Sequence, residues 1–162
     1  MTLSYLLVNV KKQTLSYIKG GQVCHIYPIS TAVAGCGEQR GSEKTPRGWH
    51  TIRAKIGGNA PAGAVFVGRR PTGEVYSPEL AVRYPNRDWI LSRILWLAGL
   101  ESGLNRGGEF DTQRRYIYIH GCPDSISFVA PSSHGCIRMY NQDVIYLFDA
   151  VKPGMKLLIV PA

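Results

Sequence analysis

Hydrophobic and polar positions alternate in short bursts along most of this chain. Residues 4–10 and 14–19 are apolar and β-favouring, and Lys11-Lys12-Gln13 separates them, which predicts a first hairpin. Lys19-Gly20-Gly21-Gln22 is a tight-turn signal, and residues 23–30 complete a three-stranded meander. Further strands are predicted over 49–56, 64–67 and 155–160, and over 116–119, where aromatic and β-branched residues alternate. From 68 to 84 Gly and Pro interrupt the pattern, so little regular structure is expected there.

Two segments leave the period of two. Over 88–97, Trp89, Ile90, Ile94 and Leu97 fall at helical spacing, with Asn86 ahead as N-cap and Gly99 near the end, and a helix packed on the sheet is predicted. Leu91, Leu95 and Trp96 carry its apolar surface nearly all round, which implies extensive burial. Residues 142–151 form a second short helix with Val144, Ile145, Phe148 and Val151 inward, Asn141 as cap and Gly154 as terminator. The polar, Gly-rich stretch 99–111 is of the kind that lies beside a binding cleft.

A hydrophobic share of 44% with 19% charged residues excludes a disordered chain, and 18 Gly and 10 Pro in 162 residues suit the turns of a mainly β fold in a single domain, 1–162. The net charge of +8 points to an anionic partner. Yet the basic residues are scattered, in pairs such as Lys11-Lys12, Arg69-Arg70 and Arg114-Arg115, with no nucleic-acid-binding motif, which favours an acidic small substrate or polymer over nucleic acid. No apolar run reaches the roughly 18 residues a membrane span needs. At the N-terminus the charge follows the apolar run, so the first residues read as a strand and not a signal peptide. If Met1 is the native start, a cytoplasmic protein with reduced thiols is expected; a leader ahead of it would make the protein periplasmic.

The candidate chemistry gathers in two stretches, Tyr116-Ile117-Tyr118-Ile119-His120-Gly121 and Ser133-His134-Gly135-Cys136-Ile137-Arg138. A cysteine is useful as a nucleophile when something lowers its pKa or takes its proton, and an imidazole at a strand end, where Gly121 lets the backbone turn away, is placed for that. Cys136 is therefore the candidate nucleophile and His120 its base, either as an ion pair or by proton removal on attack. The backbone N–H groups around His134, Gly135 and Cys136 are candidate oxyanion donors. Arg138 either holds a substrate carboxylate or makes a surface ion pair. His134 is a second base or a brace for the loop, and bracing is favoured. Cys24 and Cys36 read as buried packing residues, Cys122 as a space-filler, and His25 and His50 as structural. A structural zinc bound by the two His-Gly-Cys tripeptides, 120–122 and 134–136, is the competing chemistry, at a spacing unlike the usual knuckles.

These motifs, with Thr45-Pro46-x-Gly48 upstream and the terminal helix and strand, resemble the L,D-transpeptidase catalytic domain family, also called YkuD-like. The resemblance implies a β-sandwich-like or barrel-like fold with the site at one end, and no metal or organic cofactor. It gives Cys136 the role of acylated nucleophile, His120 that of base, and the Gly121 carbonyl that of orienting the ring. Ser133, His134 and Gly135 match the loop shaping the oxyanion hole, and Arg138 and Tyr118 are the candidate substrate-binding residues. Cys122 departs from the hydroxyl residue, such as Thr, that relatives often carry. The implied reaction is cleavage of the L,D bond between diaminopimelate and terminal D-alanine in peptidoglycan stem tetrapeptides, with carbapenems and other β-lactams as covalent inhibitors. Water as acceptor gives an L,D-carboxypeptidase, the outcome expected of a cytoplasmic protein in murein recycling. An amine gives an exported, cross-linking transpeptidase. A murein-binding module without turnover is the non-enzymatic alternative.

Overall fold

Short β-favouring segments joined by Gly- and Asn-containing turns can bury their apolar faces only by pairing, and here they pair into one mixed sheet of ten strands. The computed structural model describes residues 3–161. The chain runs β1 (Ser4–Asn9), β2 (Thr14–Lys19), β3 (Gln22–Pro28), β4 (Gly48–Ile56), β5 (Ala64–Val67), β6 (Arg70–Val75), α1 (Pro78–Arg83), β7 (Ile90–Gly99), β8 (Tyr118–Gly121), β9 (Ile137–Met139), α2 (Asn141–Ala150) and β10 (Lys156–Val160). The spatial order is β3-β2-β1-β10-β4-β7-β5-β6, with β8 pairing β7 and β9. The β1–β10 and β8–β9 pairs are parallel and the rest antiparallel.

Just past β3, Ser30 exchanges two backbone hydrogen bonds of 2.9 Å with Arg138 of β9. That bridge brings the two ends of the path β3-β2-β1-β10-β4-β7-β8-β9 together, so the sheet curls around one interior. Leu6, Leu15, Ile29, Ile52, Leu97, Ile119, Ile137 and Leu157 fill it, and α2 adds Val144, Leu147 and Phe148. Burial of this apolar set is the main favourable term of the fold.

The predicted helix over 88–97 is instead the strand β7, which lies between β4 on one side and β5 and β8 on the other. An apolar surface that goes all round suits a central strand covered on both faces as well as a buried helix, and periodicity does not separate the two. The region 68–84 holds the strand β6 and the helix α1, whose first turn Ser77 caps through a bond from the Leu80 N–H to its Oγ at 3.1 Å. Asn141 does not cap α2: Tyr140 occupies the cap, and the Asn141 side chain accepts from Ser92 Oγ at 2.6 Å and donates to the Cys122 carbonyl at 2.9 Å.

Candidate active site

Strand register decides which side chains meet. In the parallel β8–β9 pair, Ile119 lies opposite Ile137 and His120 opposite Arg138. Side chains alternate faces along a strand. Ile117, Ile119, Ile137 and Met139 enter the interior, so Tyr118, His120, Cys136 and Arg138 share the other face. Tyr118 packs there with Phe66 and Ile94, and Cys136 lies against this cluster. The register sets Cys136 across from Tyr118 and on the diagonal from His120, so the thiol and the imidazole project from neighbouring chain segments on one face.

The Cys136 sulfur accepts the Tyr118 N–H at 3.3 Å, and its S–H donates to the Tyr116 carbonyl at 3.5 Å. Burial pushes the thiol up to about 11, and Asp88 adds to the rise, while the Tyr118 N–H, Arg138 and Arg115 pull it partly back. His120 is 1% exposed. Burial lowers its pKa, and so does Arg138; the bond to the Gly121 carbonyl and the Asp88 charge act the other way. Its Nδ1 donates to the Gly121 carbonyl at 2.6 Å, which leaves Nε2 as the basic nitrogen. Both shifts favour the uncharged forms, a thiol and a neutral imidazole, near neutral pH. Asp88 and Arg138 act on both groups.

Gly121 is the last residue of β8, after which the chain leaves the sheet, and a Cβ there would collide with the Leu91 carbonyl of β7 and the Asn141 side chain. Glycine is required by close approach.

The loop before Cys136 is fixed by hydroxyl groups. Ser133 Oγ donates to the Cys136 carbonyl at 2.5 Å and accepts the Gly135 N–H at 3.2 Å. Thr45 Oγ1 donates to the Gly135 carbonyl at 2.9 Å and accepts the Ala32 N–H at 3.1 Å. Gly135 has φ 131°, and a Cβ would press on Ile117 at 3.2 Å. Bracing thus falls to Ser133 and Thr45. His134 is exposed, with Nδ1 only 3.7 Å from Glu43 Oε2. Since Ser133 engages the Gly135 N–H, those of His134 and Cys136 are left as the candidate oxyanion donors.

Arg138 is neither free nor on the surface. With 12% of its side chain exposed, it donates to the Ser132 carbonyl at 2.9 Å and to Asp88 Oδ1 at 3.1 Å, while its buried Nε has no partner among the described residues. It borders a cleft of about 230 Å³ together with Asp88, Trp89, Ile126 and His134.

The sequence matches the YkuD family, the L,D-transpeptidase catalytic domain, over residues 3–160. The chain belongs to the L,D-transpeptidase family. It is 28% identical over 158 residues to the probable L,D-transpeptidase ErfK/SrfK of Salmonella typhimurium, covering 96% of this chain and 43% of that protein, so it spans less than half of that relative. Among solved structures, the L,D-transpeptidase of Xylanimonas cellulosilytica (residues 123–326) aligns with a TM-score of 0.57 at 19% identity, over 98% of this chain and 60% of the other. L,D-transpeptidase 3 of Mycobacterium tuberculosis, in complex with a faropenem-derived adduct, aligns with a TM-score of 0.56 at 16% identity, over 98% and 60%. The mainly β architecture is that of L,D-transpeptidase catalytic domains.

Within this L,D-transpeptidase domain, several residues near the site carry no signal in their own sequence neighbourhood. Thr45 anchors the Cys136 loop from 91 positions upstream, and only the Thr45-Pro46-x-Gly48 landmark hinted at it. Asp88 pairs Arg138, and Arg115 reaches the Lys44 carbonyl at 2.7 Å. Asp88 lay in the stretch read as helix, and Arg115 in one of the scattered basic pairs. Cys24 is exposed on β3 and not a packing residue, while Cys122 is fully buried, its thiol pushed up to about 12 by the lack of solvent. The two His-Gly-Cys tripeptides do not converge on a metal site: among the described residues no three His, Cys, Asp or Glu side chains gather, and His134 points to Glu43.

Proposed function

We propose that the site cleaves the L,D bond between diaminopimelate and terminal D-alanine in a peptidoglycan stem tetrapeptide through a thioester on Cys136. His120 Nε2 takes the thiol proton as Sγ attacks the scissile carbonyl carbon. The N–H groups of Cys136 and His134 receive the developing oxyanion. Collapse breaks the C–N bond, and the imidazolium returns its proton to the departing amine of D-alanine. Water then attacks the thioester with His120 again as base, which frees the tripeptide and restores the thiol.

The observation that carries this reading is the shared face: Cys136 and His120 lie on one diagonal, and the Gly121 carbonyl holds Nδ1 so that Nε2 is the basic nitrogen. Arg138 borders the cleft beside Asp88, and its guanidinium suits the carboxylate of diaminopimelate, which would compete with Asp88 for it. The faropenem-derived adduct of the Mycobacterium tuberculosis relative supports a β-lactam as covalent probe. Water is the proposed acceptor; an amine attacking the same thioester would form a cross-link instead.

Mass spectrometry of products tests both steps. Cys136→Ala is expected to abolish D-alanine release from a disaccharide tetrapeptide while its melting temperature stays within a few degrees of the parent, and a β-lactam adds mass at Cys136 only in the parent. Undiminished release by Cys136→Ala overturns the mechanism. With tetrapeptide plus an amine acceptor, tripeptide alone supports hydrolysis, and dimers assign cross-linking instead.

A further inference from the structure

The β5–β6 hairpin turns through Gly68 and Arg69, with φ 56° and 64°, and Val67 pairs with Arg70. A two-residue turn with both φ values positive matches the twist of the strands, but the second position is normally Gly or Asn. Arginine there is held by what it touches. Its guanidinium lies over Trp96 at 4.6 Å and over Tyr116 at 4.9 Å, and it donates to the Tyr118 hydroxyl at 2.9 Å. Tyr116 is itself a non-glycine residue at φ 57°. Two such residues meeting over one cluster mark a place where the surroundings impose the backbone.

The same two tyrosines grip the sulfur by their backbones. Tyr118 N–H donates to Cys136 Sγ and Tyr116 C=O accepts from it, while both side chains support Arg69. Arg69 is therefore joined to the nucleophile through these two tyrosines, which hold the sulfur by their backbones and the guanidinium by their side chains, and Arg138, paired with Asp88, lies two positions beyond Cys136. No carboxylate of the protein pairs with Arg69 among the described residues, and only one of its five N–H donors has a protein partner. A guanidinium fixed on aromatic faces with donors to spare is a receptor for a carboxylate, which it can take through two parallel bonds.

We propose that Arg69, seated on Trp96, Tyr116 and Tyr118, binds the terminal carboxylate of the leaving D-alanine and so restricts cleavage to stems that end one residue beyond the scissile bond. This rests on the acyl-transfer reading above, because that reading places the leaving residue next to Sγ. It separates two carboxylates of one substrate, with Arg138 receiving that of diaminopimelate and Arg69 the chain end. It also makes the site exo-acting for a physical reason: a stem extended past D-alanine, or capped there as an amide, offers no anion to the guanidinium.

The test is binding to the full-length Cys136→Ala protein, measured by calorimetry with a disaccharide tetrapeptide and with its C-terminal carboxamide. The acid is expected to bind about 10- to 100-fold more tightly than the amide, the range for hydrogen bonds to a charged group. Arg69→Gln is expected to bring the acid down to the level of the amide, whereas Arg69→Lys, which keeps the charge but not the fork, retains part of the preference. Equal binding of acid and amide overturns the proposal. So does an Arg69→Gln loss of the same size for both, which would make Arg69 a pin for the hairpin. Melting curves of each variant identify misfolding, and the Lys variant then carries the comparison. Failure of the Arg69-containing, Cys136-containing enzyme to release D-alanine would instead overturn the acyl-transfer reading, and the binding comparison still decides the carboxylate site.

Discussion

A thiol held near 11 is not the resting thiolate of an ion pair at neutral pH, and a buried imidazole with a lowered pKa is not its counter-ion. Both shifts have burial as their largest cause, because solvent that would stabilise either charged form is excluded. Two ways of using a cysteine and a histidine are compatible with their spacing, and the surroundings choose between them. The rate of Cys136 alkylation by iodoacetamide, followed on the Cys136 peptide, is therefore expected to rise about tenfold per pH unit from pH 7 to 9 and to show no plateau near neutrality. His120→Ala is expected to leave that rise in place while removing D-alanine release, since the base matters only as the proton departs. A plateau below pH 8 that vanishes in His120→Ala would establish the ion pair and refute the neutral resting state.

Elements were legible where the signal was local. The first hairpin and meander follow from Lys11-Lys12-Gln13 and Gly20-Gly21, and the strands Thr14–Lys19 and Ala64–Val67 fall where alternation puts them. β7 was illegible as a strand because its neighbours, β4, β5 and β8, are distant in sequence, and only they show that both faces are covered. Ser92 and Arg93, unpaired in the shift between Leu91 and Ile94, bulge this strand beside β8. At the site, Cys136, His120 and Gly121 sit in motifs that sequence exposes, Thr45 sits in a landmark whose role sequence does not reveal, and Asp88 and Arg69 acquire meaning only through contacts across the fold. Thr45 shows the consequence. Thr45→Val keeps the shape but removes a hydroxyl that satisfies two backbone groups, the Ala32 N–H and the Gly135 carbonyl. The expected cost is about 1–3 kcal/mol of stability, with a larger loss in kcat than in KM as the Cys136 loop loosens. Thr45→Ser should recover most of both. Denaturant melts and steady-state kinetics on the three proteins decide it, and a Val variant with parental kcat would show that the loop is held without this hydroxyl.

At the scale of the whole molecule, the same exclusion of solvent couples folding to pH through a histidine outside the site. His50 on β4 is fully buried; Nδ1 faces the Gly48 carbonyl at 3.0 Å and Nε2 the Thr112 hydroxyl at 2.9 Å, tying the sheet to the segment that leads into β8. Burial lowers its pKa from 6.5 to about 4, against the smaller opposing effects of the Gly48 carbonyl, Glu101 and Glu38. The unfolded chain therefore binds a proton near pH 6.5 that the folded protein refuses until about pH 4. Between those values the unfolded state holds more protons, so stability falls as pH drops through the window and is fully present above it. By pH 5 the loss attributable to His50 is about 2 kcal/mol, and His120, lowered for the same reason, acts in the same direction. Urea unfolding at pH 7.5 and pH 5 should show the parent losing stability over this interval and His50→Gln losing about 2 kcal/mol less, even where Gln is the less stable protein at pH 7.5. A Gln variant with the parent's pH slope would mean that His50 titrates normally in the folded state, and that the β4–Thr112 contact opens to water below pH 6.5.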